Sequence, residues 1–222
     1  MQPVSRSREP GAPRARGLGP RADQLTDALA DALASGIAAT GVPGAVLALR
    51  LPDGRREIVA HGVADLATGE PMRPDLACRI GSITKTFTAT TVLALAGDGA
   101  LAIDDPVERW LPGALAPLPL AGAVTLRMLL NHTSGIYSYT EDDDFQDDYV
   151  DDPARFRPPE ELVRIGLAHT PYFPPGTGWH YSNTGYVLLG LVIEAATGRR
   201  AEDVILERTV EPLALTRTTF PT

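Results

Sequence analysis

Strand-forming sequence in this chain is confined to one short stretch, which limits the possible folds more than any other feature. The runs 45–51 (AVLALRL) and 57–63 flank Pro52-Asp53-Gly54. Proline presets the turn, aspartate bonds its own backbone and glycine accepts a left-handed conformation, so the pair reads as a β-hairpin. Beyond residue 80 the chain carries only helical spacing and turn residues. Segregated strands and helices predict an α+β fold rather than a doubly wound parallel sheet. A hairpin alone is marginal in water, so a wider antiparallel sheet is expected beneath the helices.

Helical periodicity places the helices. Leu25, Ala28, Leu29, Ala32 and Leu33 predict one over 23–39, ended by Gly41-Val42-Pro43-Gly44. Residues 65–76 read as an extended loop. A second helix over 82–95 is expected to bury Ile83, Phe87, Thr90 and Ala94 and to stop at Gly97-Asp98-Gly99. A helical turn follows near Pro106, and a short helix over 124–135 takes Thr125 as its N-cap. Residues 141–152 (EDDDFQDDYVDD) read as an acidic loop lacking the glycine and spacing of an EF-hand. Further helices are expected over 159–169, over 183–197 with Gly198 at C′, and over 200–207.

Residues 1–22 are rich in Pro, Gly and Arg and contain no apolar run, predicting a disordered tail without the h-region of a signal peptide. No apolar stretch approaches the ~18 residues of a membrane span. The formal net charge of -8 argues against nucleic acid as a partner. Cys78 is the one cysteine, which excludes an intrachain disulfide and predicts a small buried hydrophobe. His61, His169, His180 and Cys78 show no metal-ligand spacing, so neither metal nor cofactor is expected.

All but one of the 20 basic residues are arginine, and the exception is Lys85. Arginine cannot release its proton at usable pH; lysine can when desolvated. Lys85 lies three residues after Ser82, at the start of a helix, so the two side chains share a face. A serine hydroxyl needs a base to become a nucleophile, and a desolvated amine can serve. The helix N-terminus favours the oxyanion that follows. The plainer alternative makes Ser82 an N-cap and Lys85 a solvated first-turn residue.

Tyr181-Ser182-Asn183 follows the Pro-Pro-Gly-Thr-Gly loop and opens an apolar helix. A phenol beside an ammonium can carry a proton, and an asparagine amide can bind a substrate amide. The alternative is Asn183 as N-cap and Tyr181 as a packed aromatic. His132 reads as a structural loop histidine; a Ser-His-Asp triad through it stays open, although no G-x-S-x-G elbow is present.

Ser82-x-x-Lys85 followed by Tyr181-x-Asn183 resembles the serine β-lactamase and penicillin-binding protein superfamily. The Tyr-x-Asn form resembles its class C β-lactamase, D-alanyl-D-alanine carboxypeptidase and esterase branch. GSITKTFTA (81–89), LAIDDPVERWLP (101–112), VTLRMLLNHTSGI (124–136) and YSNTGYVLLGLVIEAATG (181–198) extend the likeness in order over 23–222.

The resemblance implies an antiparallel sheet flanked by helices, with a mostly helical subdomain. It implies Ser82 as the acylated nucleophile, with its N–H in the oxyanion hole. Lys85 and Tyr181 share proton transfer, and Asn183 binds substrate. The substrate is a D-alanyl peptide, a β-lactam or an ester, and the setting is secreted or cell-envelope. The family's Lys- or His-Thr-Gly triplet is absent, so the expectation is a domain over 23–222 truncated before its C-terminal strands. The alternative function is an inactive fragment or a module that binds without turnover.

Overall fold

The computed structural model describes residues 22–118 and 123–220. They fall into two compact units, Met1–Cys78 and Arg79–Thr222. The expected tail lies outside the described residues, apart from Ala22, which opens the first helix.

The first unit holds helix α1 (Ala22–Thr40) and strands β1 (Gly44–Arg50) and β2 (Arg56–Gly62). The strands pair antiparallel from Gly44↔Gly62 to Arg50↔Arg56. Their turn closes through the Gly54 N–H on Leu51 O at 2.9 Å, with Gly54 at φ 88°. Asp53 accepts the Arg55 N–H at 3.0 Å and ties the turn to its own side chain. At the open end a Cβ on Gly44 or Gly62 would collide with the backbone of Val63 or Pro43, so only glycine fits. Helix α1 packs on both strands, and Thr26 Oγ1 donates to Glu57 Oε2 at 2.9 Å. Among the described residues the sheet has two strands, β1 and β2. Cys78 is exposed, contrary to the buried role expected of it; it lies in an irregular segment outside any helix or strand.

The second unit is helical. Its helices are α2 (Thr84–Gly97), α3 (Val107–Trp110), α4 (Leu126–Leu130), α5 (Asp143–Asp151), α6 (Pro159–Leu167), α7 (Asn183–Thr197) and α8 (Ala201–Ile205). Helix α7 is the axis, packed by α2, α3, α4, α6 and α8. Leu188, Leu189, Val192 and Ile193 form its inner stripe, each fully buried. Burying one such side chain is worth about 1.5–3 kcal/mol, which far outweighs helix propensity.

Two expectations fail here for physical reasons. In α2 the buried face is Thr88, Thr91, Val92 and Leu95, whereas Ile83 and Thr90 are exposed. The helix is apolar or small on nearly every side, so periodicity cannot pick the face. The threonines go inside because a partner waits there: Thr91 Oγ1 lies 3.0 Å from Thr209 Oγ1. The acidic stretch is not a loop but helix α5. Asp142 caps it by accepting the Phe145 N–H at 2.7 Å, and Asp143 and Asp144 occupy its first turn, where the helix dipole favours anions. Arg157, almost fully buried, meets Asp148 at 2.6 Å and Arg155 meets it at 2.9 Å, so the charge is neutralised from the following segment.

Candidate active site

Each element of the site is placed by local chemistry. Ser82 sits in a 3-10 turn (Gly81–Ile83) that runs directly into α2, with Gly81 at φ 52°. One helical turn on, Lys85 points along the same face. The loop carrying Tyr181 is fastened by main-chain bonds: Tyr172 N–H to Gly135 O at 2.9 Å, Gly176 N–H to Thr133 O at 2.8 Å and His180 N–H to His132 O at 3.1 Å. A column of stacked rings, His169 on Tyr137 on Tyr172 on His180, reinforces it.

Ser182, not Asn183, caps α7: its hydroxyl accepts the Gly185 N–H at 3.3 Å. That frees the Asn183 amide to meet Lys85, Ser138 and Thr140. Ser182 is the better cap here because its extended backbone and short hydroxyl reach the first turn.

The four predicted residues come together. Tyr181 O–H donates to Ser82 Oγ at 2.6 Å. Lys85 Nζ donates to Asn183 Oδ1 at 2.6 Å and to Ser82 Oγ at 3.4 Å. It also sits 4.8 Å from the Tyr181 ring centroid and 5.4 Å from that of Tyr186. Partial burial pushes the Tyr181 phenol up. Hydrogen bonding to Lys85 and Ser82 and the lysine charge outweigh that, holding it below the ordinary tyrosine value.

His132 is not part of a triad. Its Nδ1 accepts the Ser182 N–H at 3.1 Å, and its ring packs 4.5 Å from Tyr181 and 5.2 Å from Tyr186. Desolvation, followed by the charge of Lys85, lowers its pKa, so it stays neutral. Sequence inspection missed Ser138 and Thr140, whose hydroxyls accept from Asn183 Nδ2 at 3.3 and 2.8 Å. No spacing signal marks them, since they lie more than forty residues from their partner.

Ser82, Lys85, His132, Tyr181 and Tyr186 line a cleft of about 400 Å³ against the Thr86–Leu93 face of α2. A larger hollow of about 460 Å³ between α6 and α7 is mostly aliphatic and contains none of them. Among the described residues no group of three or more His, Cys, Asp or Glu could hold a metal ion, and no helix is long and apolar enough to cross a membrane.

The chain is an α+β protein in which Ser82, Lys85 and Tyr181 meet at the start of its central helices. The beta-lactamase family profile matches residues 25–222, and the chain belongs to that family. The D-stereospecific amidohydrolase of Streptomyces sp. superposes with a TM-score of 0.74 at 40% identity, covering 91% of this chain and 57% of that one. Penicillin-binding protein 4 of Amycolatopsis lactamdurans is 38% identical over 78% of this chain and 44% of its own length. Esterase EstB of Burkholderia gladioli is 38% identical over 70% of this chain and 41% of its own. The chain thus spans less than half the length of these two curated relatives. Homologues in this family are hydrolases, and the α+β class expected from the hairpin and helices agrees with their fold.

Proposed function

We propose that this protein is a serine hydrolase working through an acyl-enzyme on Ser82. The observation that carries this is the placement of a phenol and an amine within 2.6 and 3.4 Å of one serine oxygen. With Tyr181 ionised, the short contact reverses and Ser82 O–H donates its proton to the phenolate. The freed oxygen attacks the substrate carbonyl, and the C–Oγ bond forms as the carbonyl π pair moves onto oxygen. The Ser82 N–H at the helix start faces that oxyanion. Collapse expels the leaving amine or alcohol, which takes the proton from Tyr181, and water then repeats the cycle to release the acid. Lys85 holds the phenolate form low in energy, and Asn183 Oδ1, which accepts from Lys85, has a second lone pair for a substrate N–H.

The relatives favour an amide, β-lactam or ester substrate: one is a D-stereospecific amidohydrolase, one a penicillin-binding protein, one an esterase. A D-alanyl-D-alanine carboxypeptidase or β-lactamase-like activity falls in this class. A fluorophosphonate or fluorescent penicillin tests it. Wild-type protein should take up label and Ser82→Ala none; equal labelling of both removes Ser82 from the role. The same label separates a serine that is acylated from a cleft that binds without reacting.

A further inference from the structure

Lysine Nζ is a donor with no acceptor, so whichever end of the Asn183 amide faces it must be oxygen. A 180° flip would set the NH₂ against the Lys85 amine and lose that contact, whereas hydroxyls can pair with either end of the amide. Lys85 thus sets which end is oxygen, and two hydroxyls anchor the other end so that this oxygen stays within reach of the amine. Asn183 Nδ2 donates to Thr140 Oγ1 at 2.8 Å and to Ser138 Oγ at 3.3 Å. Ser138 Oγ also accepts the Asn183 main-chain N–H at 3.1 Å and lies 3.0 Å from Thr140 Oγ1. Ser138 is buried at 1% exposure. Both sit beside or within a 3-10 turn (Tyr139–Glu141) closed on itself by Glu141 N–H to Ser138 O at 2.9 Å.

We infer that Ser138 and Thr140 are positioning residues of this site. Their hydroxyls anchor the Asn183 amide where its Oδ1 meets Lys85, and thereby keep Lys85 Nζ beside Ser82. The inference rests on the proposed roles of Ser82 and Lys85 for its kinetic consequence, but not for its structural one. Neither residue touches the reacting oxygen; both act through Asn183.

Thr140→Val keeps the β-branched shape and removes the acceptor, while Thr140→Ser keeps the acceptor and removes the methyl. Acylation by fluorescent penicillin should fall about 10- to 100-fold in Thr140→Val, the scale of a sub-ångström to ångström misplacement, and stay near wild type in Thr140→Ser. An independent readout comes from Lys85 being the one lysine in the chain. Protein labelled with ¹³C-lysine gives a single side-chain Cε signal without assignment. That signal should move in Thr140→Val and hold its position in Thr140→Ser. If Thr140→Val fails to fold, Thr140→Ala against Thr140→Ser makes the same comparison. An unmoved Lys85 signal in Thr140→Val, or equal loss in Thr140→Ser, overturns the inference. Absence of label from wild type overturns the hydrolase proposal instead, and the lysine signal then decides the positioning role alone.

Discussion

Ser82 and Lys85 show how little local sequence is needed to bring two groups together and how much is needed to place a third. One helical turn delivers the pair, but the phenol of Tyr181 arrives from a loop 99 residues away. His132 has a comparable part at the level of one ring. It accepts a main-chain N–H and separates two tyrosines, which requires an unprotonated Nδ1. Its folded pKa is depressed, so below about pH 6.5 the unfolded chain binds a proton that the folded chain refuses. Stability is therefore held above that pH and lost as pH falls toward the folded value. Thermal melts between pH 7.5 and 5 should show a shallower fall for His132→Asn, a residue that tolerates the φ of 63° at this position. Parallel slopes for variant and wild type would count against a neutral His132.

At the scale of elements, caps decide where side chains point. Moving the α7 cap from Asn183 to Ser182 turns Asn183 from a helix cap into a partner of Lys85. Removing the cap with Ser182→Ala should cost about 1 kcal/mol, seen as a lower urea midpoint with an unchanged m-value. A loss near zero would mean the helix start is held by its neighbours instead. Helix α5 makes the converse point. A run dominated by aspartate looks like solvent-exposed coil because like charges repel. Read with Asp142 as a cap, two acids in the first turn and Arg155 and Arg157 folding back onto Asp148, the same residues form a helix.

At the scale of the molecule, stability in the second unit is concentrated in α7. Leu188 is fully buried among helices that all lean on that axis. Leu188→Ala should cost about 2–5 kcal/mol by chemical denaturation, a large part of the ~5–15 kcal/mol of a typical domain. A loss below 1 kcal/mol would mean the helices around α7 do not depend on this contact. Amide exchange should rise across α2, α4, α6 and α7 together, because one core serves them all. The hairpin, the helix positions other than α5, the Thr125 cap and the Gly198 terminus were legible beforehand, since each depends on a few adjacent residues. The buried face of α2 was not, because its four sides differ too little in polarity and the choice falls to a threonine partner more than a hundred residues on.

By itself the sequence determined the α+β class, the hairpin, the pairing of Ser82 with its lone lysine and the likeness that singled out Tyr181 and Asn183. These are matters of periodicity, turn chemistry and spacing, which operate within a few residues. Only the tertiary structure decided that Asn183 faces Lys85, that Ser138 and Thr140 hold it there and that His132 stays neutral between two tyrosines. Those outcomes turn on which donor meets which acceptor across distant segments. Burial makes an unmet hydrogen bond costly, so that choice is fixed only when the chain is packed.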